Sequence, residues 1–498
     1  MAAGALHEAV VQLTRSRTLS PLQSTVSPKA PRGRRFSGRV AAGIVYAALA
    51  GPPLLYGSRD AITLAGWCAL LGVGLILVST RHLRAGHLIL LGGIAFITLC
   101  FVFVLHEQMA VRPWIAPFNP IWAKASEALG EQLAPSVSIV RGEPFFALGH
   151  PLANILALVL GLIVGVDSSR ARRGIRVLAW AGAIYAIYGI LALVFDPTAI
   201  LWREKTAYIG NLTATFINRN TAATYFGSCS VVWLVLLMGA IRESAPPGRI
   251  EWRALSRRLL YRTRKDLLIR FVMLFICLSA MFMTGSRGGV LISLGVMVVV
   301  IMIYFRHDLP RRSGLLLVVA SCLAGGLLLL QVFGGSVSQR IDVGGLGDAG
   351  RLSAYRSTLK MITDNPLFGT GLGTFAQAFP AYRNSDISMQ GVWDAAHSTP
   401  LELTSEMGIP LALAVTIAWI VALIVLLGGL RNPRRSISVP LSAFSVSLIA
   451  LLHSCIDFSL QVAGYSIVVF ALLGLGLSRA LVSREQASSA QHVAASPR

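Results

Sequence analysis

Apolar runs of about 20 residues return again and again along this chain, the length a helix rising 1.5 Å per residue needs to cross the hydrocarbon of a bilayer. They fall near residues 40–57, 61–79, 87–105, 149–166, 176–196, 221–241, 268–284, 288–305, 314–333, 408–429, 438–456 and 463–481, separated by short charged or Pro/Gly-rich breaks. The pair at 268–305 is interrupted only at Thr284-Gly285-Ser286-Arg287. With 55% hydrophobic and 13% charged residues, a soluble fold would have too little polar surface to cover its core. The sequence therefore predicts an all-α membrane protein with about 12 transmembrane helices.

A formal charge of +22 invites a nucleic-acid reading, so where the charge lies matters more than its size. With residues 1–39 placed in the cytoplasm and sides alternated, cytoplasmic segments hold 31 Lys and Arg against 7 Asp and Glu, and the opposite side holds 13 against 15. The basic excess lies on one side only, which is the positive-inside pattern, carried by Arg242 to Lys265, Arg306–Arg312 and Arg431–Arg435. Membrane orientation thus explains the charge without a nucleic-acid partner, and both termini are expected in the cytoplasm. Residues 1–39 hold seven Lys and Arg among Ser, Pro and Gly with no apolar signal-like core, and read as a disordered basic arm. Residues 482–498 form a cytoplasmic tail. Cys68, Cys100, Cys229, Cys277, Cys322 and Cys455 all lie in apolar runs and read as packing residues, with no metal-ligand spacing.

Two segments outside the membrane are long enough to matter, 106–148 and 334–407, both on the non-cytoplasmic side, with a shorter third at 197–220. In segment 334–407, Leu352, Tyr355, Leu359 and Ile362 share one helical face and Arg356 and Lys360 another, which predicts a helix at the headgroup boundary that stops at Asp364-Asn365-Pro366. Gly369, Gly371 and Gly373 follow in Phe368-Gly-Thr-Gly-Leu-Gly-Thr-Phe375 and permit close backbone approach to a ligand, although no strand precedes them as a dinucleotide fold requires. Arg287, in Thr-Gly-Ser-Arg-Gly-Gly, is a guanidinium at a membrane edge; small neighbours on the outer face favour an anion site over an interfacial anchor. His397 can accept a proton near neutral pH, or be a loop or capping residue; spacing leaves both open. Glu402 and Glu406, one turn apart, can orient His397 or Arg287 or pair with a loop arginine. His453 and Asp457 have the same spacing and read as a buried structural pair ahead of a second acid/base pair.

Taken together, these residues resemble the O-antigen ligase and polymerase family of bacterial membrane glycosyltransferases. Four stretches carry the likeness, over roughly residues 200–460: Thr213-Ala-Thr-Phe-Ile-Asn-Arg-Asn220 with the Thr-Ala-Ala-Thr-Tyr-Phe-Gly after it, Thr284-Gly-Ser-Arg-Gly-Gly289, Asn365 to Phe375, and His397 to Pro410. The resemblance implies a GT-C-like helix bundle, with an N-terminal membrane region at 40–199 that includes a periplasmic loop at 106–148. It implies a ligase-like region at 200–481 that includes a periplasmic loop at 334–407 bearing short helices.

The activity it implies is metal-independent, inverting transfer of a glycan from an undecaprenyl diphosphate carrier to an acceptor hydroxyl at the periplasmic face of the bacterial inner membrane, with no cofactor. The acceptor implied is lipid A core or another glycan. No Asp-X-Asp is present to hold a divalent ion against the diphosphate. Arg287 matches the family's arginine motif and is expected to stabilise the leaving diphosphate; His397 matches its loop histidine and is expected to activate or orient the acceptor. Arg219 and Arg351 are secondary diphosphate ligands, with Asn218, Asn220, Glu402, Glu406, Gly371, His453 and Asp457 in support. One departure stands out: where many members have an arginine, this chain has Asn211, with Ala214 in place of the following glycine, and Arg219 is expected to supply the charge. O-antigen ligase ranks slightly ahead of O-antigen or exopolysaccharide polymerase, with protein O-oligosaccharyltransferase, peptidoglycan polymerase and a lipid-linked sugar transporter or flippase as further alternatives. No internal repeat supports the transporter.

Overall fold

The structure, a computed structural model, describes residues 32–244, 265–306, 308, 349–387, 393–430 and 437–495. The expected span at 314–333 with Cys322, nearly all of the basic arm, most of the basic stretch between Arg242 and Lys265, and Arg431–Arg435 lie outside those residues. Each of the other eleven apolar runs is a helix. They are α1 (Arg32–Ala50), α2 (Ala61–Leu77), α3 (Ala85–Met109), α6 (Gly149–Val164), α7 (Ser168–Phe195), α8 (Arg219–Ser244), α9 (Lys265–Met283), α10 (Arg287–Phe305), α14 (Ile409–Gly429), α15 (Ser438–Ser454) and α16 (Ala463–Ala495). Between them lie α4 (Ile121–Leu129), α5 (Glu143–Ala147), a two-residue hairpin of β1 (Ala199–Ile200) and β2 (Arg203–Glu204), α11 (Ala349–Asp364), α12 (Phe375–Ala378) and α13 (Thr399–Met407). Eight helical segments are long and apolar enough to cross a membrane, α5 and α6 counting together; α1, α2 and α15 are apolar but shorter. The described residues form a nearly all-helical membrane fold with eight such spans, and the expected span at 314–333 lies outside them.

Local chemistry sets the helix ends. The first run stops at Ala50 instead of reaching residue 57, because Pro52 and Pro53 cannot continue a helix. Asp167 caps α7 by accepting from the amides of Ser169 and Arg170 at 2.8 and 3.2 Å. Ser286 caps α10 through the Gly289 amide, so the short break in the 268–305 pair does divide two helices and makes Arg287 the first residue of the second. Cys229 and Cys277 are buried as expected, whereas Cys455 follows the end of α15 and is exposed.

Small residues let the helices approach. On α6, a methyl group added at Gly161 would meet the carbonyl of Ala471 on α16, and one at Gly182 of α7 would meet Cys229 on α8. Such crossings hold membrane helices where lipid offers no hydrophobic drive for association. One end of the bundle is tied by side chains on helix-terminal carbonyls: Arg479 to Val166 at 3.0 Å, Arg306 to Leu430 at 2.9 Å, and Tyr46 to Arg170 at 3.2 Å. Every motif singled out in the sequence lies at the other end.

There the described residues of segment 349–407 form a packed cap. Ala354, Met361, Phe375, Phe379 and Ala396 form one small core, and Val104, Leu105, Leu372, Met407 and Leu411 tie the cap to α3 and α14. Helix α11 ends at Asp364 as the sequence predicts, and it packs on the protein through a face other than its apolar stripe. Ala354, Thr358, Met361 and Ile362 point inward, while Leu352 and Leu359 are half exposed beside the exposed Arg356 and Lys360. The apolar stripe is therefore not the packed face, because Ser353, Ser357 and Thr358 are small enough to pack closely, and Thr358 returns its hydroxyl to the Ala354 carbonyl at 2.8 Å.

Candidate functional site

The site is built around Asp457, in the turn between α15 and α16. Its carboxylate, almost fully buried, accepts from the Asn220 amide on α8 at 2.5 Å and from Arg351 on α11 at 3.2 Å, and it closes its own turn through the Phe458 amide at 2.7 Å. Arg351 also donates to the Ile456 carbonyl at 2.9 Å. Three elements far apart in sequence thus meet on one carboxylate, a charge-assisted arrangement that orients each donor. His453, one turn back, lies 3.1 Å from the Ser459 hydroxyl, which contacts Thr224 of α8 at 3.4 Å. The pair expected to be structural does pack inward; the Asp457 amide donates to the His453 carbonyl at 3.0 Å, while the Asp457 carboxylate accepts from Arg351 and Asn220.

Arg287 enters the same neighbourhood by position. A methyl group on the adjacent Gly288 would touch Ile456 at 2.6 Å and come within 3.9 Å of His453, so the first turn of α10 packs directly on the turn that carries Asp457. Thr399, at the start of α13, reaches the Asp457 carbonyl at 3.4 Å, which brings in the His397 loop. His397 has a left-handed backbone, φ 52°, unusual outside glycine and asparagine. Its ring stands edge-on to Trp393 with centroids 5.5 Å apart and lies 5.1 Å from Phe458. Its carbonyl accepts from the Tyr355 hydroxyl at 2.9 Å, and the preceding amide, Ala396, donates to Glu402 at 2.6 Å. Glu402 therefore holds the histidine's turn, one of the roles open to it.

Glu406 has a different task. Its carboxylate accepts from the Phe375 amide at 2.9 Å and its carbonyl from the Gly371 amide at 3.1 Å. Added methyl groups at Gly369 and Gly371 would strike the backbone of Glu406 and the Ser138 hydroxyl, so these glycines admit close approach of the protein's own chain, at φ 67° and 114°. Burial raises both Glu402 and Glu406 above the ordinary carboxylate range, and their mutual repulsion adds to the effect on Glu402.

Arg219 opens α8 beside Asn218, whose side chain accepts from the Asn220 and Thr221 amides at 2.6 and 3.3 Å and so starts the helix. The Arg219 guanidinium lies over the Tyr208 ring at 4.9 Å and reaches the Asn211 side chain at 3.5 Å, so its charge stands at the position where Asn211 departs from the resemblance. Its Nε is buried with no hydrogen-bond partner among the described residues. Next to it is a cation the sequence reading missed: Lys205, buried, donating to the Asn211 carbonyl at 2.7 Å, its pKa lowered by burial. In Trp-Arg-Glu-Lys it reads as a surface residue. Gln108 was missed as well. Its amide donates to the carbonyls of Phe368 and Glu406 at 2.7 and 2.8 Å and accepts from Leu372 at 3.0 Å, clasping the glycine segment; the signal was a His-Glu-Gln triplet ending an apolar run.

Residues 272–416 match the family model described as O-antigen ligase. The match covers under a third of the chain. The matched segment includes Arg287, Arg351, His397, Glu402 and Glu406; Asp457 lies outside it and meets it through Arg351 and Thr399, Asn220 joins through Asp457, and Arg219 contacts Tyr208 and Asn211, which are also outside the match. The ligase family assignment indicates membrane glycosyltransferase activity in general. No curated protein matches the chain.

Proposed function

We propose that this chain is an O-antigen ligase that transfers a glycan from undecaprenyl diphosphate to an acceptor hydroxyl, most simply on lipid A core, at the periplasmic face of the bacterial inner membrane. The observation that carries the proposal is the convergence on Asp457 of α8, α11 and the His397 loop, beside the first turn of α10 with Arg287. Charge develops on the leaving diphosphate as its bond to the anomeric carbon breaks, and fixed cations aimed at that charge are the most effective stabilisation available. Arg287 takes that role, supported by Arg351, held by Asp457, and by Arg219 with its unsatisfied Nε. The acceptor oxygen attacks the anomeric carbon from the opposite face, its proton passes to His397, and the bonding pair leaves on the lipid diphosphate, which inverts the centre. With arginines in this role and no Asp-X-Asp, transfer needs no divalent ion, and EDTA leaves the rate of the purified enzyme unchanged.

Deleting the gene and resolving surface glycans on a silver-stained gel tests the reading: core lipid A without long chains supports a ligase, and core bearing a single repeat shows a polymerase. Complementation with Arg287→Ala or His397→Ala leaves that defect in place at normal protein level. Restored long chains in either variant remove that residue from the mechanism.

A further inference from the structure

Outside the cluster described above, an exposed row of aromatic and charged side chains leads away from His397. Asp394, three residues before it, pairs with Arg59 at 3.5 Å. The next residue, Asp60, meets Arg203 at 4.0 Å, and Arg203 lies over the Tyr56 ring at 4.2 Å. Tyr56 in turn meets Trp202 edge-on at 5.7 Å. Tyr56 is buried, but Trp202 at the hairpin tip is 71% exposed, and the four charged side chains are all more than half exposed.

We propose that this row is an acceptor-sugar subsite, in which the Trp202 ring stacks on the apolar face of an uncharged pyranose and the Arg203–Asp60 and Arg59–Asp394 pairs hydrogen-bond its hydroxyls. The proposal rests on the transferase reading and adds where the acceptor lies. The two pairs cancel in charge, so the row does not select an ion. Instead it offers guanidinium donors next to carboxylate acceptors, which suits the alternating donors and acceptors of adjacent hydroxyls, beside one flat ring. A tryptophan that merely marks the bilayer boundary does not need four charged neighbours.

The row is also rigid. Six residues other than glycine have left-handed backbones among the described residues: Tyr56, Ser58, Leu201, Tyr208, Ala214 and His397, with φ between 49° and 58°. All six lie in the three loops that supply the row, the Arg219 cluster and His397. Strain gathered this way is held only where the surroundings over-determine it, and it concentrates at binding sites. Here Trp67 donates to the Ser58 hydroxyl at 3.0 Å, Ser58 donates to the Pro52 carbonyl at 2.6 Å, and the Tyr188 hydroxyl accepts the Leu201 amide at 2.8 Å. Because the row ends at Asp394, three residues before His397, a sugar on it belongs to the molecule whose hydroxyl is activated there. Arg59, Asp60, Trp202 and Arg203 lie outside residues 272–416, so the family domain supplies the reaction and this chain's own loops select the acceptor.

The test uses the full-length chain purified in detergent and, as probe, core oligosaccharide released by mild acid from lipopolysaccharide of the deletion strain. Titration shows binding to the unaltered protein, at least about tenfold weaker in Trp202→Ala and within about threefold in Trp202→Phe, at equal thermal stability. In transfer assays the acceptor KM of Trp202→Ala rises about tenfold while kcat and the donor KM stay within about twofold. Equal binding in all three proteins overturns the subsite, as does a rise in donor KM instead, which places the donor glycan there. Quenching by brominated lipid that is lost in Trp202→Ala makes Trp202 a bilayer anchor and also overturns it. Binding without any transfer by the unaltered protein leaves the subsite standing and removes the transferase reading.

Discussion

Among the spans of the described residues, α3 and α14 are the two most apolar, yet only 17% of the apolar stretch of each is buried in the protein; α8 and α16 are the least apolar, and 78% and 83% of theirs are buried. In a soluble protein the order is reversed. Here the bilayer accepts the greasiest helices, and the interior goes to those with something polar to satisfy or something small to pack. Helix α8 buries Asn220, Thr221, Thr224, Ser228 and Ser230, and α16 buries Ser466, Ser478 and the glycines that meet α6 and α15. The two buried helices begin beside Asp457, so the polarity that draws them inward is continuous with the candidate site.

The largest effect is expected where that polarity is concentrated. Asp457→Ala leaves Arg351 and Asn220 without their shared acceptor, and removing one partner of a buried pair costs about 3 kcal/mol or more. Both stability in detergent and transfer should fall sharply. A protein that unfolds at its usual temperature and remains active would show that α8 and α11 are joined by something else.

A smaller effect separates the two classes of helix. Gly161→Val on α6 forces a side chain into the Ala471 backbone and should destabilise by about 1–3 kcal/mol. Gly92→Val on lipid-facing α3, where an added Cβ meets nothing within 4 Å, should change the unfolding midpoint little. Equal losses at both positions would dissolve the contrast between core and lipid-facing helices.

The smallest effect is one of pH. Glu402 and Glu406 have carboxyl pKa values raised by burial above the unfolded value near 4.5, so the fold retains protons that the unfolded chain releases. Stability is thus greatest below that value and declines as pH rises through the window above it. Glu402→Gln should flatten the decline on its alkaline side while keeping an acceptor for the Ala396 amide. Unfolding midpoints measured from about pH 5 to about pH 9 check this, and an unchanged slope would mean that Glu402 is ionised in the fold.

The glycines show how far sequence reading carries and where it stops. Gly369, Gly371 and Gly373 announce close backbone approach, and close approach occurs, but to Glu406, Ser138 and Ala147, all distant in sequence from the glycine they meet except through the fold. Likewise Leu352 and Leu359 mark a helix, but the face it packs on the protein, with Ala354, Thr358 and Met361, follows what α13 and the neighbouring turn leave room for. Lys205 gave no signal, since a lysine between polar residues is indistinguishable from a surface lysine until its loop folds back on Asn211.

What the sequence by itself determined is the class of the molecule, the existence of its apolar helices and the candidate residues, because apolar length, proline, capping side chains and charge are local properties. Which helices face lipid, which carboxylate gathers Arg351 and Asn220, and which loop sets Trp202 against Tyr56 were decided only by tertiary structure. Those depend on pairings across more than a hundred residues, Asn220 with Asp457 and Arg59 with Asp394 among them, and no local pattern encodes such partners.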